Sequence, residues 1–177
     1  MDRRQFIHAG MLSALALALF PACTKGKEKS PMTEKKVAGI EPLKKSHSEW
    51  RAILPAQSYA VLFEEATERA FSSPLNEEKR KGTFLCAACR LPLFASDAKF
   101  DSGTGWPSFF QPIPDRLGTR RDFKLFLPRT EYHCIRCSGH QGHVFNDGPP
   151  PTGLRYCNNG VALEFVPEGE KLPELRT

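Results

Sequence analysis

Alternation of apolar and polar positions is clearest near the carboxy-terminal end of the chain. Val161, Leu163 and Phe165 alternate with Ala162 and Glu164, the period-two pattern of a half-buried strand. Leu154 and Tyr156 carry a shorter strand-like run up to Cys157, and Asn159-Gly160 between the two runs predicts a tight turn. Thr83-Phe84-Leu85 and Glu131-Tyr132-His133 predict two more strands, each running into a cysteine pair. Helical spacing is confined to the start of the domain. Ser48 is placed to cap a short helix carrying Trp50 and Leu54, and Pro55 suits the first turn of a second with Tyr59, Leu62 and Phe63 on one face. These apolar residues are read as core, and Ser72-Ser73-Pro74 ends the helical pattern.

The bulk numbers sharpen that picture. A chain of 177 residues, 40% of them hydrophobic, is one domain plus tails with enough apolar surface for a core. Fifteen prolines and 13 glycines favour a loop-rich, mainly β domain over a helical bundle. Net charge is +5, and it falls to +4 when Asp2, Arg3 and Arg4 leave with the first 22 residues. The remaining excess sits mostly between Lys25 and Lys45 and forms no stripe within the domain, which argues against a nucleic-acid footprint. No internal repeat is visible.

The amino-terminal segment has the form of an address. Arg3-Arg4 precede a mostly apolar run from Ala9 to Phe20, which fits an export signal of the twin-arginine kind over residues 1–22. The run is shorter than the roughly 20 residues a membrane span needs. Cys23 follows Ala22 and resembles a lipoprotein acylation site, although Phe20 and Pro21 depart from the usual aliphatic and small residues. Residues 23–45 are lysine-rich and read as a solvated tether, so the domain is expected over 46–168, with a short tail over 169–177. A periplasmic or membrane-anchored monomer is the expectation.

Candidate chemistry lies in the cysteines, histidines and aromatics. Cys86-x-x-Cys89 and Cys134-x-x-Cys137 supply four thiolates for a tetrahedral Zn²⁺ site with no open position, a structural arrangement. Disulfides, or one redox-active pair, are the competing readings. Trp106, in Gly103-Thr104-Gly105-Trp106-Pro107, is either a core anchor or the wall of an apolar pocket. His140 and His143, flanked by glycines, suit metal ligation, proton transfer or simple packing beside the cysteines. Cys157 is outside both pairs, beside Arg155 and Asn159; it is either a reachable nucleophile or an inert buried thiol.

Taken together, Cys86-x-x-Cys89, Lys99 to Phe109, Cys134-x-x-Cys137, Gly142 to Pro149 and Pro151 to Asn159 resemble the B-type methionine-R-sulfoxide reductases, over about Ser48 to Val166. The resemblance implies two antiparallel sheets tied by a Cys₄ zinc, and reduction of methionine-R-sulfoxide, free or in proteins, through a Cys157 sulfenic acid. It implies that Trp106 receives the substrate methyl group, with Phe145 supporting it. It also implies that His140, His143 and Asn159 surround the sulfoxide oxygen and that Arg155 lies near the thiolate. An ordinary thiol is only about 3% ionised at pH 7, so Arg155 and the histidines are expected to lower the Cys157 pKa.

Three positions depart from the family. Thr104 stands where many relatives carry a resolving cysteine, so regeneration falls to a thioredoxin-like or other thiol reductant, or to Cys23 if it carries no lipid. Asn158 and Gly160 stand where an apolar residue and serine are usual. A catalytically silent zinc-binding module, a disulfide oxidoreductase and a nucleic-acid zinc ribbon are the alternative functions.

Overall fold

A computed structural model describes residues 39–124 and 128–177. The export signal, Cys23 and the tether as far as residue 38 lie outside the described residues. Among those described, no helix is long and apolar enough to cross a membrane.

Two short helices open the domain. α1 (His47–Ile53) is capped by Ser46 and not by Ser48, because only Ser46 has a glutamate three residues on. Ser46 Oγ accepts from the Glu49 backbone N–H, and the Glu49 carboxylate accepts from the Ser46 backbone N–H. The Ser48 hydroxyl instead meets Ser46 Oγ at 2.9 Å. α2 (Ala56–Glu64) starts after Pro55, which is its N-cap. Trp50 stacks on Phe63 with ring centroids 5.0 Å apart, so the two helices share one buried aromatic face.

Nine strands then form two antiparallel sheets among the described residues, as expected for a mainly β chain. The smaller sheet holds β1 (Gly82–Cys86), β2 (Pro92–Ala95) and β9 (Leu163–Pro167) in the order β2-β1-β9. The larger holds β3 (Lys99–Phe100), β4 (Ser108–Phe109), β5 (Leu117–Asp122), β6 (Arg129–Cys134), β7 (His140–Phe145) and β8 (Arg155–Asn158). Its order is β3-β4-β8-β7-β6-β5. Phe84, Phe94, Phe109 and Tyr132 are fully buried, and Phe94 stacks on Phe109 at 4.1 Å, joining a strand of each sheet.

The turn expected at Asn159-Gly160 is not a hairpin. A two-residue hairpin loop needs positive φ, whereas Asn159 is extended at φ −68° and ψ 124° and is followed by a 3₁₀ turn over Gly160–Ala162. The chain therefore crosses from β8 in the large sheet to β9 in the small one, where β9 pairs with β1. Cys157 lies within β8, one residue before its end, and not at a free loop tip.

Packing extends past both expected limits of the domain. Ile40 and Leu43 lie against the core, and the Leu43 N–H bonds the Arg136 carbonyl at 2.6 Å. At the other end the Arg176 N–H reaches the Cys89 carbonyl at 3.2 Å.

Candidate active site and metal centre

The two cysteine pairs occupy equivalent places in the two sheets. Cys86 ends β1 and Cys134 ends β6. Each pair folds back through the same contact, Arg90 N–H to Cys86 C=O at 2.8 Å and Ser138 N–H to Cys134 C=O at 2.9 Å. Arg90 and Ser138 are both left-handed, at φ 61° and 59°. All four cysteines are buried, and their sulfurs lie within 4.8 Å of one another. Contacts between the pairs are 3.6 Å (Cys86–Cys137) and 3.5 Å (Cys89–Cys134). A tetrahedral metal with bonds of about 2.3 Å places its sulfurs about 3.8 Å apart, whereas a disulfide needs about 2.05 Å. The donor set therefore fits a metal ion and not two disulfides. Gln141, fully buried, donates from Nε2 to Cys86 Sγ at 3.4 Å, which relieves charge on that sulfur.

Cys157 pairs across the sheet with Ser108 of β4 and His143 of β7. Its half-buried thiol opens on a pocket of about 130 Å³ whose lining includes Trp106, Phe145, His143, Arg129 and Thr67. Trp106 is presented by the turn containing Gly103 and Gly105, both at positive φ, and is a pocket wall, not a core anchor. Its indole N–H donates to the Glu68 carbonyl at 3.2 Å.

The expected lowering of the Cys157 pKa is not what the site produces. Burial pushes the thiol up, and the Arg155 charge, with a smaller pull from the Thr104 hydroxyl, offsets only part of that. Arg155 is largely committed elsewhere. Its guanidinium makes two bonds to Asp147, at 2.9 and 2.8 Å, and lies 4.4 Å above the Phe145 ring. No histidine is among the main causes of the thiol's shift.

The two histidines have different positions. His143 lines the pocket, and its Nε2 bonds Asp122 Oδ2 at 2.7 Å, leaving Nδ1 as the nitrogen not engaged by that carboxylate. The Lys124 backbone N–H, with His143 and Arg129, holds the Asp122 carboxyl well below the usual carboxylate range. Burial pushes the His143 imidazole below its ordinary value, against the pull of Asp122. His140 does not line the pocket. It is buried, bonds Glu131 Oε1 through Nδ1 at 2.7 Å, and lies 5.4 Å, ring to ring, from His143. Glu131 in turn pairs with Arg120, so His140 buttresses His143 from behind.

Asn159 edges the pocket, but its amide is committed at both ends. Its Oδ1 accepts from the Glu68 N–H at 3.1 Å and its Nδ2 donates to the Gln141 carbonyl at 3.1 Å. The two unusual neighbours are explained by packing. Asn158, fully buried, accepts from Tyr132 Oη at 2.8 Å and donates to Gln141 Oε1 at 3.3 Å, so a polar residue is satisfied where an apolar one is usual. Through Gln141 this amide chain runs from the neighbour of Cys157 to the metal-centre sulfur of Cys86. Gly160 is required because a Cβ there would lie 1.9 Å from Ser73 Oγ. Gly160→Ala is expected to destabilise the domain by about 1–3 kcal/mol, the range for overpacking, as a lower urea midpoint.

Sequence reasoning missed Asp122, Glu131, Glu68 and Arg129. Asp122 and Glu131 lie in the polar, strand-like stretches before the second cysteine pair, where a charge looks like solvated surface. Only the pairing of β5 with β6 and β6 with β7 turns them towards the histidines.

Comparison with known proteins agrees with this geometry. The SelR domain matches residues 54–167. The peptide methionine sulfoxide reductase MsrB of Pseudomonas putida (strain W619) is 51% identical over 129 residues, 72% of this chain and 97% of that protein. The protein of the same name from Bradyrhizobium diazoefficiens is 54% identical over 125 residues, 70% of this chain and 90% of its own length. The one from Methanosarcina barkeri (strain Fusaro / DSM 804) is 50% identical over 129 residues, 72% and 91% respectively. The matched stretch contains both cysteine pairs, the Trp106 loop and Cys157. On fold, site and sequence alike, the chain belongs to the B-type methionine sulfoxide reductase family.

Proposed function

We propose that the protein reduces methionine-R-sulfoxide with Cys157 as nucleophile. The observation that carries this reading is a half-buried thiol in one pocket with an aromatic wall and an anchored imidazole. The substrate methyl group rests against Trp106, the sulfoxide oxygen faces His143, and the rest of the substrate points to solvent. The Cys157 thiolate sulfur bonds to the sulfoxide sulfur, and the oxygen takes a proton from His143. The protonated oxygen then passes to the cysteine sulfur as the bond between the two sulfurs breaks, giving methionine and Cys157 sulfenic acid. The cysteine sulfur is oxidised by two electrons and the methionine sulfur reduced by two. One external thiol converts the sulfenic acid to a mixed disulfide and water, and a second releases Cys157.

Zinc is the metal proposed for the four cysteines, since four thiolates in a closed tetrahedron suit it and leave no position for substrate. Its contribution is to join the ends of β1 and β6. Export and acylation at Cys23 complete the proposal, placing the enzyme at oxidised periplasmic proteins with a thioredoxin-like donor.

The test offers the zinc-loaded protein separate R and S epimers of a blocked methionine sulfoxide, with dithiothreitol as reductant. Consumption of the R epimer alone supports the proposal; turnover of neither epimer promotes the silent binding module.

The shifts at Cys157 and His143 set the pH profile. Attack needs the thiolate and oxygen departure needs the imidazolium, yet the thiol lies above its ordinary value and the imidazole below its own. The competent form thus carries the less favoured proton at both groups. Its fraction is the product of the two occupancies, which is constant between the two pKa values and falls outside them. From ordinary values of about 8.5 and 6.5 that fraction is about 1%, and both shifts lower it. For kcat/KM we expect a plateau across neutral pH, with an acid limb governed by His143 and an alkaline limb governed by Cys157. Asp122→Asn removes the contact that supports the imidazolium. It should lower the plateau about tenfold per unit of His143 shift, move the acid limb to lower pH, and converge with wild type at the acid extreme.

A further inference from the structure

Glu68 lies on the irregular segment between α2 and the 3₁₀ turn at Pro74–Asn76, and three separate parts of the residue hold three parts of the site. Its carbonyl accepts from the Trp106 indole at 3.2 Å. Its backbone N–H donates to Asn159 Oδ1 at 3.1 Å. Its carboxylate takes the first two N–H groups of the 3₁₀ turn after Cys157, Gly160 at 2.5 Å and Val161 at 3.0 Å. The residue is 3% exposed, and among the described residues no cationic side chain pairs with it. A buried, unpaired carboxylate costs free energy unless backbone donors satisfy it. Here two donors belong to the turn that fixes the end of β8.

The consequence is geometric. Trp106 stands on a loop, and Cys157 stands on a strand. The backbones of the two are already tied, since the Pro107 carbonyl accepts from the Asn158 N–H at 2.9 Å and Ser108 pairs with Cys157. The hydrogen bonds that fix the indole itself relative to the segment after Cys157 run through Glu68. Its carboxylate grips the turn while its carbonyl grips the indole. Gly105 reinforces the same segment, its carbonyl accepting from the Phe71 N–H at 2.7 Å and from Asn76 Nδ2 at 3.0 Å. Ser73 fills the space where a Cβ on residue 160 would sit, so side-chain packing keeps the turn against this segment as well.

We propose that Glu68 is a positioning residue that fixes the pose of the Trp106 indole against the nucleophile, and thereby the choice between sulfoxide epimers. A sulfoxide epimer is recognised by where its methyl, oxygen and chain fall relative to the attacking sulfur. Letting the wall drift relative to Cys157 blurs that distinction before it removes the thiol's reactivity. The catalytic part of this inference rests on the sulfoxide reductase reading; the structural part does not.

The test uses Glu68→Gln in the zinc-loaded protein. A glutamine keeps one acceptor but sets its NH₂ against the second backbone N–H, so the grip on the turn is lost. Solvent exchange of the two indole N–H groups is followed by nuclear magnetic resonance, with Trp50, buried between the helices, as the control for the fold. Exchange at Trp106 should accelerate at least tenfold with Trp50 unchanged, kcat/KM for the R epimer should fall about tenfold, and the ratio of R to S turnover should shrink. In a Trp106→Phe background, which has no indole N–H, the same substitution should leave epimer preference where it is. Exchange at Trp106 and kcat/KM both within twofold of wild type would overturn the proposal. So would equal acceleration at both indoles, which assigns Glu68 to general stability. Should Glu68→Gln not fold, Glu68→Asp, with the carboxylate withdrawn by one methylene, is judged by the same readouts. A protein that reduces neither epimer sinks the enzyme reading, and indole exchange still decides whether Glu68 holds the wall.

Discussion

Cys157→Ser is expected to abolish sulfoxide reduction, lowering kcat/KM by about 10³-fold or more, the scale on which removal of a nucleophile acts. A serine hydroxyl stays protonated in a pocket whose burial already raises the thiol, and alkoxide attack on the sulfoxide sulfur is out of reach. The wild-type protein makes a sharper statement when reductant is withheld. It should release one methionine per chain and stop, with Cys157 one oxygen heavier and no disulfide formed within the domain. The other four domain cysteines are gathered in one buried cluster, and Thr104 has no thiol to offer. Because the Thr104 side chain is close enough to act on the Cys157 thiol, Thr104→Cys should change the product: one methionine per chain as before, but with an internal disulfide to Cys157 in place of the sulfenic acid. Intact-mass measurement with and without a sulfenic-acid trap separates the outcomes. An internal disulfide in the wild-type domain after turnover would show that a metal-centre cysteine is mobile enough to resolve the intermediate, contrary to the closed cluster described above.

The strands and the chemistry were legible in the sequence to different depths. The strand-like runs mark β9 and the approaches to both cysteine pairs, but not their faces: Val161 and Ala162 fall in the 3₁₀ turn with Ala162 buried, and β1 and β6 are buried on consecutive residues as they reach Cys86 and Cys134. The cysteines, Trp106 and Cys157 are legible because their chemistry is carried by residue type. Pairing is not legible. Asn159-Gly160 carries a hairpin signal, yet the chain there stays extended and changes sheets, since a distant carboxylate, Glu68, caps the turn that follows. Ser48 and Ser46 are equally good caps by composition, and only the spacing to Glu49 separates them. The pKa of Cys157 illustrates a further limit. Arg155 next to a cysteine reads as thiolate stabilisation, but the guanidinium is held by Asp147 and stacked on Phe145, so the desolvation of the pocket prevails. His140 and His143 are three positions apart, which in a regular strand puts them on opposite faces. The register irregularity of β7 against β6 at His133 returns His140 to the face of His143, where it bonds Glu131 while only His143 lines the pocket.

Loss of one metal-centre cysteine, as in Cys134→Ala, is expected to unfold the domain. The four sulfurs bring the end of β1 in one sheet against the end of β6 in the other. Structural zinc sites supply about 10–16 kcal/mol of apparent binding free energy, against a whole-domain stability of about 5–15 kcal/mol. Removing a ligand forfeits much of the first figure and leaves three buried thiols with no ion to share, so the balance turns against the folded state. The signature is loss of the cooperative unfolding transition together with loss of bound zinc, measured on the same sample. Strong chelator should reproduce it with the wild-type protein, slowly, because the cysteines are buried. The amide chain from Gln141 to Asn158 adds a local consequence: as the Cys86 sulfur moves, Gln141 loses its acceptor and the pairing beside Cys157 loosens. Epimer turnover should therefore fall in step with zinc release, not after it. A folded, metal-free Cys134→Ala variant with wild-type turnover would place the stability of this domain in its aromatic core alone.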